Sequence, residues 1–317
     1  MQGQTNPLSP LRRLLFLLLI SNIKWSAAST PVSLNQPPAI GNFALATSQQ
    51  PGPFFSFGQN VIDKNQFIVS FNPNYLYSQT QRILDGTPSI LYGITDSASI
   101  LLSLPYAFSY KNGNQSLSGV GDLALDLEYA FYNYENSRYS DQATIIFAPS
   151  FPVSTLDEIT KKLNPSSRVS GFSRKSAPSS FDVMTYFIGA TYSRMLVDWY
   201  GFIAPGALFA SKKDSIQQGT QYYYNLGIGR TIKSAEKKYI LFGLLEVNGQ
   251  YSAKTKFDSL NVPNTGGSII YATPSLSFST SKIMLQAGLS LPVAQYWYGN
   301  QSNISYYASG IITWTIQ

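Results

Sequence analysis

The chain has no cysteine and no histidine among its 317 residues. Without cysteine it forms no disulfide and can cross an oxidising compartment without mispairing. Without either residue a zinc site lacks its usual ligands. Hydrolases that rely on a histidine base are excluded with it, so an enzyme here would have to work with carboxylates or lysines alone. Charge is scarce as well. Asp, Glu, Lys and Arg make up 12% of the chain, against about 25% in an ordinary soluble domain. Beyond residue 28 no apolar run reaches the roughly 20 residues that a membrane-crossing helix requires. Little charge and no helical span leave one membrane architecture, the closed β-barrel, in which strands satisfy each other's backbone groups.

What is present fits that architecture. The stretch "LRRLLFLLLISNIKWSAAS" reads as a secretory signal: Arg12 and Arg13, an apolar run from Leu14 to Ile20, then the small residues Ser26, Ala27 and Ala28. Residues 1–28 are therefore expected to be a signal peptide. They carry Arg12, Arg13 and Lys24, three of the six net positive charges. With no dense basic cluster elsewhere, no nucleic-acid partner is expected. Residues 29–65 hold Pro31, Pro37, Pro38, Pro51 and Pro53. Proline gives no ladder donor, so this segment is not a central strand. It is expected to be a periplasmic lead-in or a partial plug of the lumen.

From residue 66 to 317 the chain alternates with period 2, the signature of one-sided strands. Twelve strands of about ten residues are predicted, near 66–77, 88–95, 98–110, 121–134, 140–152, 182–193, 198–210, 220–232, 239–252, 268–278, 282–293 and 304–316. The fold class is all-β, a transmembrane antiparallel up-and-down barrel. Short links alternate with long ones, which are placed near 78–87, 111–120, 153–181, 211–219, 253–267 and 294–303. Short turns on the periplasmic side and longer loops outside are the pattern of outer-membrane barrels. An aromatic girdle is expected at both interfaces. It includes Trp199, Tyr200 and Trp314 on one side, and Tyr106, Phe108 and Tyr110 on the other.

The polar faces supply the candidate functional residues. In "GDLALDLEYAFY" Asp122, Asp126 and Glu128 oppose Leu123, Leu125, Leu127, Tyr129 and Phe131. At about 3.3 Å per residue these acids spread over roughly 20 Å, too far for one small ion. Paired carboxylates in glycosidases come from separate elements that flank a cleft. The acids are therefore expected to line a wet lumen, with Asp126 and Glu128 tuning solute passage. Glu246, Asn248, Gln250, Asn225 and Gln286 hold equivalent inward positions. No catalytic residue, metal or cofactor is assigned. Lys161, Lys162, Arg168, Arg174 and Lys175 form a basic cluster in the longest loop, suited to lipopolysaccharide phosphates or to solvent.

"GVGDLALDLEYAFY" followed by "ATIIFAPSFPVST" resembles the outer-membrane channel family linked to the meta-pathway of phenol degradation. Gly119, Gly121 and Asp122 match that family's Gly-x-Gly-Asp strand, and Pro152 matches part of its following corner, which here lacks the Thr-Gly. The resemblance implies a Gram-negative outer-membrane channel that is not an enzyme. It would pass small solutes by diffusion, aromatic or hydrophobic ones among them. The alternative is a surface barrel with a closed lumen that acts through its loops, in adhesion or in lipopolysaccharide or host contact. Expected partners are outer-membrane lipids and lipopolysaccharide, the barrel-assembly machinery and a small solute. The C-terminal strand departs from the usual barrel ending, because it closes on Gln317 rather than an aromatic residue.

Overall fold

The computed structural model describes residues 37–112, 115–153 and 183–316. Its strands are β1 (Phe67–Ser78), β2 (Gln81–Thr95), β3 (Ala98–Ser103), β4 (Tyr106–Asn112), β5 (Gln115–Val120), β6 (Leu123–Glu135), β7 (Tyr139–Phe151), β8 (Thr185–Leu196), β9 (Trp199–Ala210), β10 (Ile216–Gln217), β11 (Gln221–Ala235), β12 (Tyr239–Ser252), β13 (Lys256–Phe257), β14 (Leu260–Asn261), β15 (Gly267–Thr280), β16 (Ile283–Trp297) and β17 (Ile304–Ile316). The small strands β10, β13 and β14 form a separate sheet. The rest form a closed antiparallel barrel of 12 staves. In it β3 continues into β4, and β5 into β6. Closure comes from β1, which pairs with both β2 and β17, starting at Phe67 opposite Ile316. Both ends of the barrel sequence therefore lie at one rim, called here the terminal end. It carries the links at 96–97, 136–138, 197–198, 236–238 and 281–282. In outer-membrane barrels the end with the short turns is the periplasmic one.

Two of the expected long loops are strand instead. Residues 81–87 belong to β2, and 111–112 and 115–120 belong to β4 and β5. Asp85, Gly86 and Pro88 look like turn residues in sequence, yet they stay in register with Asn74, Pro73 and Phe71 of β1. They mark a partner change, not a turn. On its other side β2 pairs with β4 up to Gly86 and with β3 from Ser89. Proline gives no N–H for the ladder, and Pro88 sits at this junction. The break runs on into the neighbouring staves. The Leu104 N–H donates to the Pro88 carbonyl at 3.2 Å, and the Gly121 N–H to the Pro105 carbonyl at 2.8 Å. The Gly-x-Gly-Asp motif thus sits where β5 gives way to β6.

The exterior is apolar in a continuous band. Leu127, Ile145, Ile188, Ile203, Leu226, Ile228, Leu245, Leu276 and Ile312 are all exposed on it, as lipid-facing strand positions must be. Trp199, Trp314, Tyr129 and Phe131 are also exposed. Tyr200 and Tyr110 correct the expected girdle, because both are buried inside. Successive residues of a strand point to opposite faces, so Trp199 and Tyr200 cannot both face lipid. At Tyr110 a register shift between Ala107 and Tyr110 moves the ring inward.

The hydrophobic core of this protein lies in the lumen. Ala44, Leu45, Phe54, Phe55 and Phe57, from the segment that precedes β1, pack with Phe187, Tyr200, Phe202, Ile240, Phe242 and Tyr307 of the wall. Each leucine, isoleucine or phenylalanine side chain taken from water here contributes roughly 1.5–3 kcal/mol.

Candidate functional site: a filled lumen

Residues 37–66 rise from the terminal end into the barrel and return to β1. Near the rim, the Asn42 side chain donates to the carbonyls of Leu196 (2.9 Å) and Trp199 (3.1 Å), while its own oxygen accepts from the Thr231 hydroxyl at 2.5 Å. The Gln49 amide reaches the Thr315 hydroxyl on the last stave. Further in, the Phe55 ring meets Tyr307 (centroids 5.2 Å apart) and the Phe57 ring meets Phe187 (4.7 Å). Such edge-on contacts add to the apolar burial. The return path passes Ser99, whose hydroxyl oxygen accepts from the Ile62 N–H at 3.0 Å. It ends at Asp96, whose carboxylate accepts from the Lys64 N–H at 3.0 Å.

Two glutamates of the wall hold this segment. Glu246 is fully buried. Its Oε1 accepts from the Phe54 N–H at 3.0 Å and its Oε2 from the Phe55 N–H at 2.8 Å. Glu128 is 4% exposed and does the same with the next part of the segment. Its Oε1 accepts from the Gln59 N–H at 2.7 Å and its Oε2 from the Asn60 N–H at 3.0 Å; the Thr144 hydroxyl donates at 2.7 Å. A buried carboxylate without such partners is prohibitively unfavourable. Two N–H donors side by side satisfy both oxygens, and bonds to a charged acceptor are the stronger kind. Just before the second pair the segment turns through left-handed backbone at Gly58 (φ +88°) and Gln59 (φ +62°). A Cβ at Gly58 would lie 2.2 Å from the Thr191 methyl carbon, so only glycine fits there.

The structure places the other candidates as follows. Asp126 is half-buried and faces inward, and Asp122 is buried at the β5–β6 break. Asn248 and Asn225 are buried and adjacent, and the Asn248 side-chain oxygen accepts from the Thr273 hydroxyl at 2.9 Å. Gln250 donates to Gln221 at 3.0 Å. Gln286 faces inward from β16 beside the cavity described below. Gly119 lies in β5, and Pro152 follows the end of β7 at an exposed position. Lys161, Lys162, Arg168, Arg174 and Lys175 lie outside the described residues. Sequence reasoning did not single out Phe54, Phe55, Phe57, Ser99 or Thr144. The available signal was the "FFSFG" run: three phenylalanines beside a proline-rich stretch, with no strand of their own.

Between residues 47–62 and the wall lies a cavity of about 200 Å³. Its wall side is largely polar, with Ser70, Asn72, Thr87, Ser89, Ser103, Gln142, Ser193 and Gln286. Apolar side chains flank these, among them Ile68, Leu91, Leu101 and Met284, and Asp126 is the charged residue of the lining.

No protein-family model matches the sequence, and no curated protein matches it. Solved structures do. The COG4313 outer membrane channel from Pseudomonas putida F1 superposes with a TM-score of 0.63 at 14% identity, over 84% of this chain and 99% of that one. A deltaS2S3 mutant of the monoaromatic hydrocarbon channel TodX overlaps more loosely, with a TM-score of 0.39 at 10% identity, over 85% of this chain and 98% of that one. The resemblance read from the Gly-x-Gly-Asp strand holds at the level of the fold: the chain is a 12-stranded antiparallel β-barrel similar in fold to the Pseudomonas outer membrane channel.

Proposed function

We propose that the protein is a non-enzymatic outer-membrane channel for small solutes, aromatic or hydrophobic ones among them, whose passage is governed by residues 37–66. The observation that carries this reading is the nature of what fills the lumen. A barrel closed for good can be packed by side chains of its own wall. Here the filling is a separate segment tied in through backbone N–H groups, with a cavity left beside it. A lumen of 12 staves is wider than an eight-stranded barrel, whose side chains can fill it, and narrower than a 16-stranded porin. The segment sets the remaining aperture. Asp126, Asn225, Asn248, Gln250 and Gln286 then form the polar side of the path. Glu128 and Glu246 act as the catches that hold the segment.

The absence of cysteine makes a clean test available. The Ile62 N–H lies 3.0 Å from the Ser99 hydroxyl oxygen, which keeps the two segments close; cysteines at these positions are tested for a disulfide by mass under non-reducing conditions before conductance is read. In planar bilayers the oxidised Ile62→Cys, Ser99→Cys protein should conduct less than the reduced one, and a reductant should restore the current. Equal conductance in both states would refute control by the segment. No current and no liposome swelling in any state would refute the channel reading itself.

A further inference from the structure

We propose that the cavity beside the plug segment is a binding site for a small protonated amine with an apolar body. This deepens the channel reading, and rests on it for the amine's route into the lumen. Three observations converge. The first is size. An apolar cavity of about 150 Å³ is enough to take benzene, so about 200 Å³ takes one ring with a short polar arm.

The second is charge. Among the cavity's lining residues Asp126 alone is charged, and the buried Glu128 carboxylate lies two positions further along the same inward face of β6. The arginines of the staves are turned the other way. Arg82, Arg194 and Arg230 lie over the rings of Tyr77, Tyr139 and Trp199, on the outer face of the wall. A cation entering the cavity meets an acidic surface, and an anion meets the same surface with the opposite sign of energy.

The third is hydrogen bonding. Asn72 and Thr87 are register partners on β1 and β2, 6% and 2% exposed, and both line the cavity. Asn72 Oδ1 and Thr87 Oγ1 have no hydrogen-bond partner among the described residues. Buried polar atoms normally have one. The unpartnered amide oxygen of Asn72 can only accept, so it calls for a ligand that donates. An alcohol can donate but carries no charge for Asp126 to attract. A carboxylate offers no donor and is repelled. An ammonium group donates and carries the complementary charge, while Ile68, Leu91 and Leu101 accommodate its apolar part.

Benzylammonium, benzyl alcohol and benzoate share a ring and nearly a size, so they isolate the polar group. Calorimetric titration of the full-length protein in detergent should rank benzylammonium first, benzyl alcohol second and benzoate last. Asp126→Asn should weaken benzylammonium about tenfold, the scale of one charge-assisted contact, and leave benzyl alcohol unchanged. Asn72→Leu should weaken both. Benzoate binding as tightly as benzylammonium, or affinities unaltered in both variants, would overturn the site, as would no benzylammonium binding at all. A barrel that binds benzylammonium but conducts nothing keeps the site and loses the channel reading. One that conducts without preferring the amine does the reverse.

Discussion

Two sectors of the wall treat the same inserted segment differently. On the β8, β9 and β12 side, Phe187, Tyr200, Phe202, Ile240, Phe242 and Leu244 turn apolar surface inward and pack against it. On the β1–β3 side small polar residues, Ser70, Asn72, Thr87, Ser89 and Ser103, share the inner face with Ile68, Leu91 and Leu101, and a cavity remains. Both sectors alternate with the same period and present the same apolar exterior. They differ only in their inner faces. The lesson is that a barrel can seal one side of its lumen by burial and leave the other side wet.

Three substitutions test that contrast. The largest effect is expected from Phe57→Ala. Its ring is 7% exposed and wedged against Phe187 and Tyr223, and deleting a buried phenylalanine costs about 3–5 kcal/mol. Amide exchange along residues 54–60 should accelerate by orders of magnitude, and conductance should rise. Unchanged protection would show that the apolar sector does not hold the segment. Glu246→Gln comes next. An amide has one acceptor oxygen where the carboxylate had two, so one of the Phe54 and Phe55 N–H groups loses its partner, a cost of about 1–3 kcal/mol. Exchange at these two amides should rise more than at Gln59 and Asn60, which Glu128 still holds. Equal loosening at both places would mean that the segment moves as one body. The smallest effect is expected from Thr87→Val. It removes a buried hydroxyl that has no partner among the described residues and keeps the shape, so stability should hold or rise by less than about 1 kcal/mol. A clear loss in thermal unfolding would mean that the hydroxyl is bonded after all and that the wet sector is misread.

Much of the wall is legible in the sequence, because strand faces follow from period 2 alone. The leucines of "GDLALDLEYAFY" are on the lipid side, and Asp126 and Glu128 are on the inner side. The alternation could not reveal that β2, β4 and β5 run on where turns were expected. Pro88, Pro105 and Gly121 look like punctuation, yet they mark a change of partner within continuous staves. The inward placement of Glu128 was readable, but its bonding was not. Its donors, at Gln59 and Asn60, lie 69 and 68 residues away in sequence. They are backbone groups, which carry no side-chain signature. The apolar half of the inner face was equally hidden. Ile240, Phe242 and Leu244 alternate with Leu241 and Leu245, so that stretch of β12 is hydrophobic on both faces. A strand of this kind signals burial on both sides, and here the second burial is against the inserted segment.

The bond from Gln49 to Thr315 joins residues 266 apart in sequence, and the segment's other partners are spread over β3, β6, β8 and β12. Contacts of such high sequence separation pay their loop-closure entropy before they return anything. The segment therefore has little to gain from a half-built wall, and its full set of partners exists only after the last stave has met the first. Occupation of the interior is thus expected to follow closure of the ring, an order that pulsed amide exchange on residues 54–60 during refolding would time.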